Sequence, residues 1–363
     1  MTTACQYIIR PVSVGDLKDL LALSKLAGPG FTSLQPDADF LRALITKSEI
    51  SFERPNPEKG QTFLLVMQDI TNGKVVGCAS VKTRVGTDDF MCADFEVEEG
   101  ECEATRYSEA DCCLILRRTL QEYTEVGSLF LHPDHRKHGA GRYLARARYM
   151  LMGTSDTLFN RPIVAQLRGC CDTDGVSPFY EEVWSKRLGA SYTENDARLA
   201  REGAKFILDA FNGLKVNLAQ LSAKTRKAIG RPHDTAEGAL KLLEREGFRQ
   251  SAFVDLSDGG PIVLAQRDTL SSLTSAHPVQ LAPPPTAIPG QISMVSTTSL
   301  KDFRACIGHF HVTPGEVSAP PWLRDALAGS DTSHLLANSP EITHLYHTAQ
   351  RQRAIFQQES KNV

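Results

Sequence analysis

Residues 123–149, YTEVGSLFLHPDHRKHGAGRYLARARY, narrow the folds open to this chain more than any other stretch. Residues 126–131 read as a strand rich in β-branched and apolar side chains, and Pro133 stops it because proline donates nothing to a sheet. Arg136-Lys137-His138-Gly139-Ala140-Gly141 follows, and from Arg142 a helix opens with Leu144, Ala147 and Leu151 on one face. A strand, a glycine loop and a helix N-terminus make an anion site. Backbone N–H groups converge there and the helix dipole favours negative charge. Gly139 and Gly141 let the chain approach a bulky diphosphate where a Cβ would collide. The spacing is neither a P-loop, which needs a Lys-Ser/Thr pair, nor a dinucleotide G-x-G-x-x-G. Arg142, Arg146 and Arg148 are available for phosphates.

Composition narrows the partners. With 363 residues the chain exceeds one small core, so two packed units and a tail are expected. The net charge of −3 gives no electrostatic case for nucleic acid. No apolar run approaches membrane-spanning length and the first residues lack a signal-peptide core, so a cytoplasmic protein with no membrane contact is expected. Nine cysteines, with adjacent pairs at 112–113 and 170–171 and no C-x-x-C, suggest reduced thiols and no metal site.

Along the chain, residues 7–12 read as an opening strand, followed by an amphipathic helix carrying Leu17, Leu20, Leu21, Leu23 and Leu26. A second helix is expected over 37–47, and paired strands over 61–68 and 74–84 around Thr71-Asn72-Gly73. Residues 87–120 resist assignment. Beyond the glycine loop come a buried strand at 163–167 and a helix at 177–188 opened by Ser-Pro. Lys205 to Phe211 reads as a strand, 236–246 as a helix closed by Gly247, and 251–256 as another strand. Leu281-Ala282-Pro283-Pro284-Pro285 reads as a semi-rigid linker. The expected division is 1–200 with the glycine loop, 201–270 as a second unit, a linker over 271–290, and a small β-rich region and polar tail over 291–363.

Several of these blocks carry a family resemblance. R-x-x-G-x-G resembles the acyl-CoA pyrophosphate loop of the GNAT superfamily of N-acyltransferases. Leu129-Phe130-Leu131-His132-Pro133 resembles that superfamily's strand-then-proline entry. From about residue 9 to 267 the chain resembles the arginine N-succinyltransferase family, which transfers succinyl from succinyl-CoA to the α-amine of arginine. Gly30-Phe31-Thr32-Ser33-Leu34, Leu167-Arg168-Gly169, Asp174-Gly175-Val176-Ser177-Pro178-Phe179, Ala228-Ile229-Gly230 with His233, Glu246-Gly247-Phe248, Val254-Asp255 and Asp258-Gly259-Gly260-Pro261 carry the match. The chain departs from the family at Glu125-Val126-Gly127, where a Cys precedes the strand in the family, at Ala165-Gln166-Leu167, and across residues 209–214. Those departures touch the acceptor side more than the CoA loop.

The resemblance implies an α/β fold with a GNAT-like acyl-CoA N-acyltransferase core, a mixed central sheet flanked by helices, and a small C-terminal β-rich appendage. It implies succinyl-CoA as co-substrate with no permanently bound cofactor and no metal, and leaves a homo- or hetero-oligomer open. His233 falls at the family's proton-donating position, which suits an imidazole that titrates near neutrality, and Leu129 at a succinyl-CoA-binding position. Arg136, Lys137, His138, Gly139, Ala140, Gly141 and Arg142 form the diphosphate cradle. Thr32, Ser33, Glu125 and Arg168 are acceptor-side candidates: Glu125 is a base for the amine, and Arg168 either clamps a carboxylate or pairs with Asp172 or Asp174. A covalent acyl-cysteine at Cys170 or Cys171, whose thiol Arg168 is placed to acidify, is the less favoured route. Another acyl-CoA or amine, or a catalytically silent acyl-CoA-binding subunit, stay as alternatives.

Overall fold

A computed structural model describes residues 7–338, apart from 28–31, 88–93, 99–111, 160, 173–174, 212, 284–289, 329, 331 and 333–334. Strand β1 (Tyr7–Pro11) leads through helices α1 (Leu17–Ala27) and α2 (Ala38–Glu53) to the antiparallel pair β2 (Thr62–Asp69) and β3 (Val75–Val85). Helix α2 starts at Asp37, whose carboxylate accepts from the N–H groups of Asp39 and Phe40, and runs further than the sequence suggested. Along β2 side chains alternate: Leu64 and Val66 face α1 and α2, while Phe63, Leu65 and Met67 face the opposite core. That second core is closed by helix α3 (Ala140–Met152), which buries Tyr143, Leu144, Ala147 and Leu151.

Strands β4 (Asp94–Glu98) and β5 (Cys113–Arg117) fall in the stretch that resisted assignment. After them come β6 (Tyr123–Leu131), β7 (Ile163–Gln166), β8 (Lys215–Asn217), β9 (Arg249–Asp255) and β10 (Pro261–Ala265). The expected boundary at residue 200 does not divide the sheet. β4 pairs with β9 (Asp94↔Asp255) and β5 with β8 (Cys113↔Asn217), so chain from before and after residue 200 interleaves in one core. Lys205–Phe211, expected as a strand, is a helix. Its short apolar run fits either period, and burial of Ile207 together with the Lys205–Asp209 ion pair one turn apart favours the helix.

The C-terminal region holds β11 (His277–Ala282), β12 (Gln291–Thr297), β13 (Ala305–Thr313), β14 (Gly315–Ser318) and β15 (Leu335–Asn338). The ring β12–β15–β11–β14–β13 closes on itself because β12 also pairs with β13, giving a five-stranded barrel. Residues 277–282, expected in the linker, are therefore one of its staves. The barrel is not a loose appendage, since β13 pairs with β1 (Ile8↔Cys306) and extends the main sheet. The sheet is mixed, with β6–β7 and β11–β14 parallel.

Candidate active site

The site starts from an irregularity in β6. Ser128 has φ +49°, a left-handed conformation that a serine adopts only under constraint. Here β3 pairs Cys78 with Phe130 but Ser80 with Gly127, so Ser128 and Leu129 together stand opposite Ala79. This is a β-bulge, and it leaves the Leu129 backbone outside the regular pairing. On its other side β6 pairs with β7 through Thr124↔Ile163 and Glu125↔Val164 alone, then the strands part. A cleft of about 1940 Å³ opens between them, lined by residues 125–131 of β6 and by Ala165–Arg168. That exceeds the roughly 300–1,000 Å³ of a usual small-ligand site, leaving room for two reactants.

At one end lies the glycine loop. His138 (φ +52°) and Gly139 (φ +74°) are consecutive left-handed residues that aim the chain into α3, which has no side-chain cap at Gly139. The N–H of Lys137 is used by His135, that of Ala140 by Lys137 and that of Arg142 by Gly139. Among the described residues those of His138, Gly139 and Gly141 donate to no protein acceptor. The sequence expectation of a cradle spanning 136–142 narrows to these three amides. Lys137 is exposed and does not line the cleft, whereas Arg136, His138, Ala140 and Arg142 do. Arg136 donates Nε–H to the Leu131 carbonyl at 3.0 Å and stacks on Phe130, which locks the loop onto β6. Buried Nε of Arg142 has no acceptor. A Cβ on Gly141 would meet only Leu131 Cδ2, at 3.8 Å, so the fold itself leaves space there.

The other end is acidic. Glu125 is held by Lys82 at 3.2 Å, and a Cβ at Gly127 would press on its Oε1. Beside it Asp94, fully buried, accepts from Gln166 Nε2 at 3.0 Å while its Oδ2 has no partner. Burial and then the charge of Glu125 push its carboxyl up to about 7. Asp255 and Asp258 sit further along. Asp258 accepts from the N–H groups of Gly169 and Gly260 and from the Tyr192 hydroxyl; burial outweighs these bonds and holds its carboxyl above the usual range. Asp196, on the helix Tyr192–Glu202, also lines the cleft, and burial followed by the charge of Asp258 pushes it up to about 7.

Of the sequence candidates, Ser33, Glu125, Leu129, Arg168 and the loop residues other than Lys137 line this one cleft. Thr32 opens the short turn Thr32–Leu34, which contacts β6 and the helix Tyr192–Glu202. His233 is held beside it: its N–H donates to the Arg168 carbonyl at 2.8 Å, and Thr235 and Ala236 line the cleft. Its Nδ1 lies 2.8 Å from Thr235 Oγ1 and accepts from the Thr235 N–H, leaving Nε2 free of any protein partner. Arg168 does not pair with Asp172, which is 3.7 Å from Lys224; Asp174 lies outside the described residues. Nor are the thiols acidified: burial outweighs Arg231 at Cys170 and Arg168 at Cys171, so both are shifted upward and stay protonated and poorly nucleophilic. Cys112 is disulfide-bonded, against the expectation of reduced thiols. Among the described residues no group of three His, Cys, Asp or Glu is placed to hold a metal. Sequence reading missed Asp94 and Asp196 altogether. Asp196 sits in a polar helix, YTENDARLARE, where nothing in the pattern marks one carboxylate as buried.

Comparison with known proteins identifies the chain's relatives. The sequence profile described as "Arginine N-succinyltransferase beta subunit" matches residues 7–272. The arginine N-succinyltransferase of Enterobacter sp. (strain 638) is 28% identical over 340 residues, covering 92% of this chain and 98% of that protein. The arginine N-succinyltransferase subunit beta of Pseudomonas aeruginosa is 30% identical over 277 residues, 76% of this chain and 81% of that one. Among solved structures, arginine/ornithine succinyltransferase subunit AI from P. aeruginosa superposes with a TM-score of 0.80 at 23% identity, across 92% of this chain and 98% of that one. With its profile matched over most of its length, the chain belongs to the arginine N-succinyltransferase family.

Proposed function

We propose that the protein is an acyltransferase that moves succinyl from succinyl-CoA to the α-amine of arginine and releases CoA, a step of arginine catabolism. The observation that carries this reading is the two-ended cleft, with free amides and arginines at one end, carboxylates at the other, and a bulged strand between them. The CoA diphosphate sits on the N–H groups of His138, Gly139 and Gly141, with Arg136 and Arg142 beside it. Pantetheine runs along the edge of β6 that β7 leaves unpaired, as in a GNAT-like core, and the thioester carbonyl meets the backbone at Leu129. The neutral amine attacks the carbonyl carbon, and its surplus proton leaves to water or Glu125. The tetrahedral intermediate collapses with cleavage of the C–S bond, and His233 supplies the proton that converts the thiolate to CoA-SH. No cysteine takes part. The names of the P. aeruginosa relatives as subunits support a chain that works within an assembly, and the reading carries with it a cytoplasmic location.

The test is free-thiol release from succinyl-CoA with a panel of amines. Arginine should give the highest kcat/KM. Release with another acyl-CoA or amine instead would reassign the substrates. No release with any amine, in a protein that still binds CoA, would leave the silent-subunit reading in its place.

A further inference from the structure

Asp196 is 6% exposed, yet among the described residues its side chain has no hydrogen bond and no ion pair. An ionised carboxylate in that setting is costly unless something compensates it. It is not sealed in a core, because it lines the cleft. Its neighbours do not supply the missing charge. Asp258 repels it, and Arg168 attracts it without forming an ion pair with it. Asp258 cannot answer a ligand freely, since its oxygens are taken by Gly169, Gly260 and Tyr192. Asp255 accepts from the N–H groups of Ser257 and Asp258 on Oδ1 and lines the same cleft. Two carboxylates therefore line one cleft, and among the described residues the side chain of Asp196 has no partner there.

We propose that Asp196, with Asp255 lining the same cleft, is the recognition site for the guanidinium side chain of the acceptor. Asp196 is largely buried, which favours a guanidinium over an ammonium because it is the more weakly hydrated cation. Its planar fork suits a carboxylate with both oxygens free. Asp258 stays structural, holding the loop 255–260 against Gly169. The inference rests on the reading that the acceptor is arginine, and adds which residues read its side chain.

The experiment is calorimetric titration of the CoA-loaded protein with arginine and with citrulline, its uncharged urea isostere, in wild type and Asp196→Asn. Wild type should prefer arginine by at least about tenfold, the scale of one charge-assisted hydrogen bond. Asp196→Asn should remove that preference by weakening arginine alone, with CoA affinity and Tm unchanged or Tm raised. Equal affinities in wild type, binding of neither amine, or a preference that survives in Asp196→Asn would overturn the assignment. Turnover measured alongside separates the two claims: a guanidinium preference without CoA release sinks the proposed function and leaves the cation site standing. Should Asp196→Asn fail to fold, Asp255→Asn carries the same test.

Discussion

At the scale of single residues, the cleft is built by placing charges where water cannot fully solvate them. Asp94 shows the consequence for stability. Its carboxyl titrates near 7 in the folded chain against an ordinary value of 3.8, so the folded state binds the proton more tightly than the unfolded state does. Stability from this group is fully present below pH 3.8 and is lost as pH rises through 7, by about 1.4 kcal/mol per pH unit between the two values. Asp94→Asn stays neutral throughout and keeps an oxygen for Gln166. Its denaturation midpoint should fall less than that of wild type between pH 5 and pH 8, and parallel pH profiles would contradict the assignment. No sequence pattern reveals this residue, because its burial depends on β4 lying against β9, far apart in the chain.

At the scale of elements, the sequence reveals most where the local signal and the tertiary role coincide. The glycine loop, the Pro133 stop and the apolar face of α3 are all local, and residues 123–152 fold as their pattern indicates. The bulge at Ser128 is not local: β6 reads as an ordinary strand, and only its pairing with β3 exposes the extra residue. Likewise Lys205–Phe211 carries an apolar run that either period accommodates, and packing decides. The loop gives a clean prediction. A Cβ on Gly141 has ordinary contact with Leu131 and nothing closer, so Gly141→Val should keep most of its stability. The branched side chain would occupy the space of the diphosphate, and CoA affinity should fall by more than about tenfold. Unchanged affinity in the folded variant would remove the phosphate site from α3.

At the scale of the whole molecule, the barrel and the catalytic sheet are one body. Met294, Phe303, Ala305 and Ile307 are fully buried in the same core as α3, and the Tyr143 hydroxyl donates to the carbonyl of Ile292. Asn338 on β15 accepts from Arg146 at 2.7 Å and donates to Ser275 Oγ at 2.9 Å, so the helix behind the glycine loop rests on the barrel. Removing everything after residue 275 would strip β13 from β1 and open an apolar edge; the product should be insoluble or unfolded. A soluble, cooperatively unfolding fragment would show the barrel to be dispensable. The central claim, however, is direct transfer in the two-ended cleft with His233 protonating the departing thiolate. Steady-state CoA release from succinyl-CoA and arginine, with CoA binding measured in parallel, tests it on His233→Ala. The account predicts kcat lowered by roughly 10²–10⁴ with CoA affinity unchanged. A His233→Ala enzyme that turns over like wild type would contradict it.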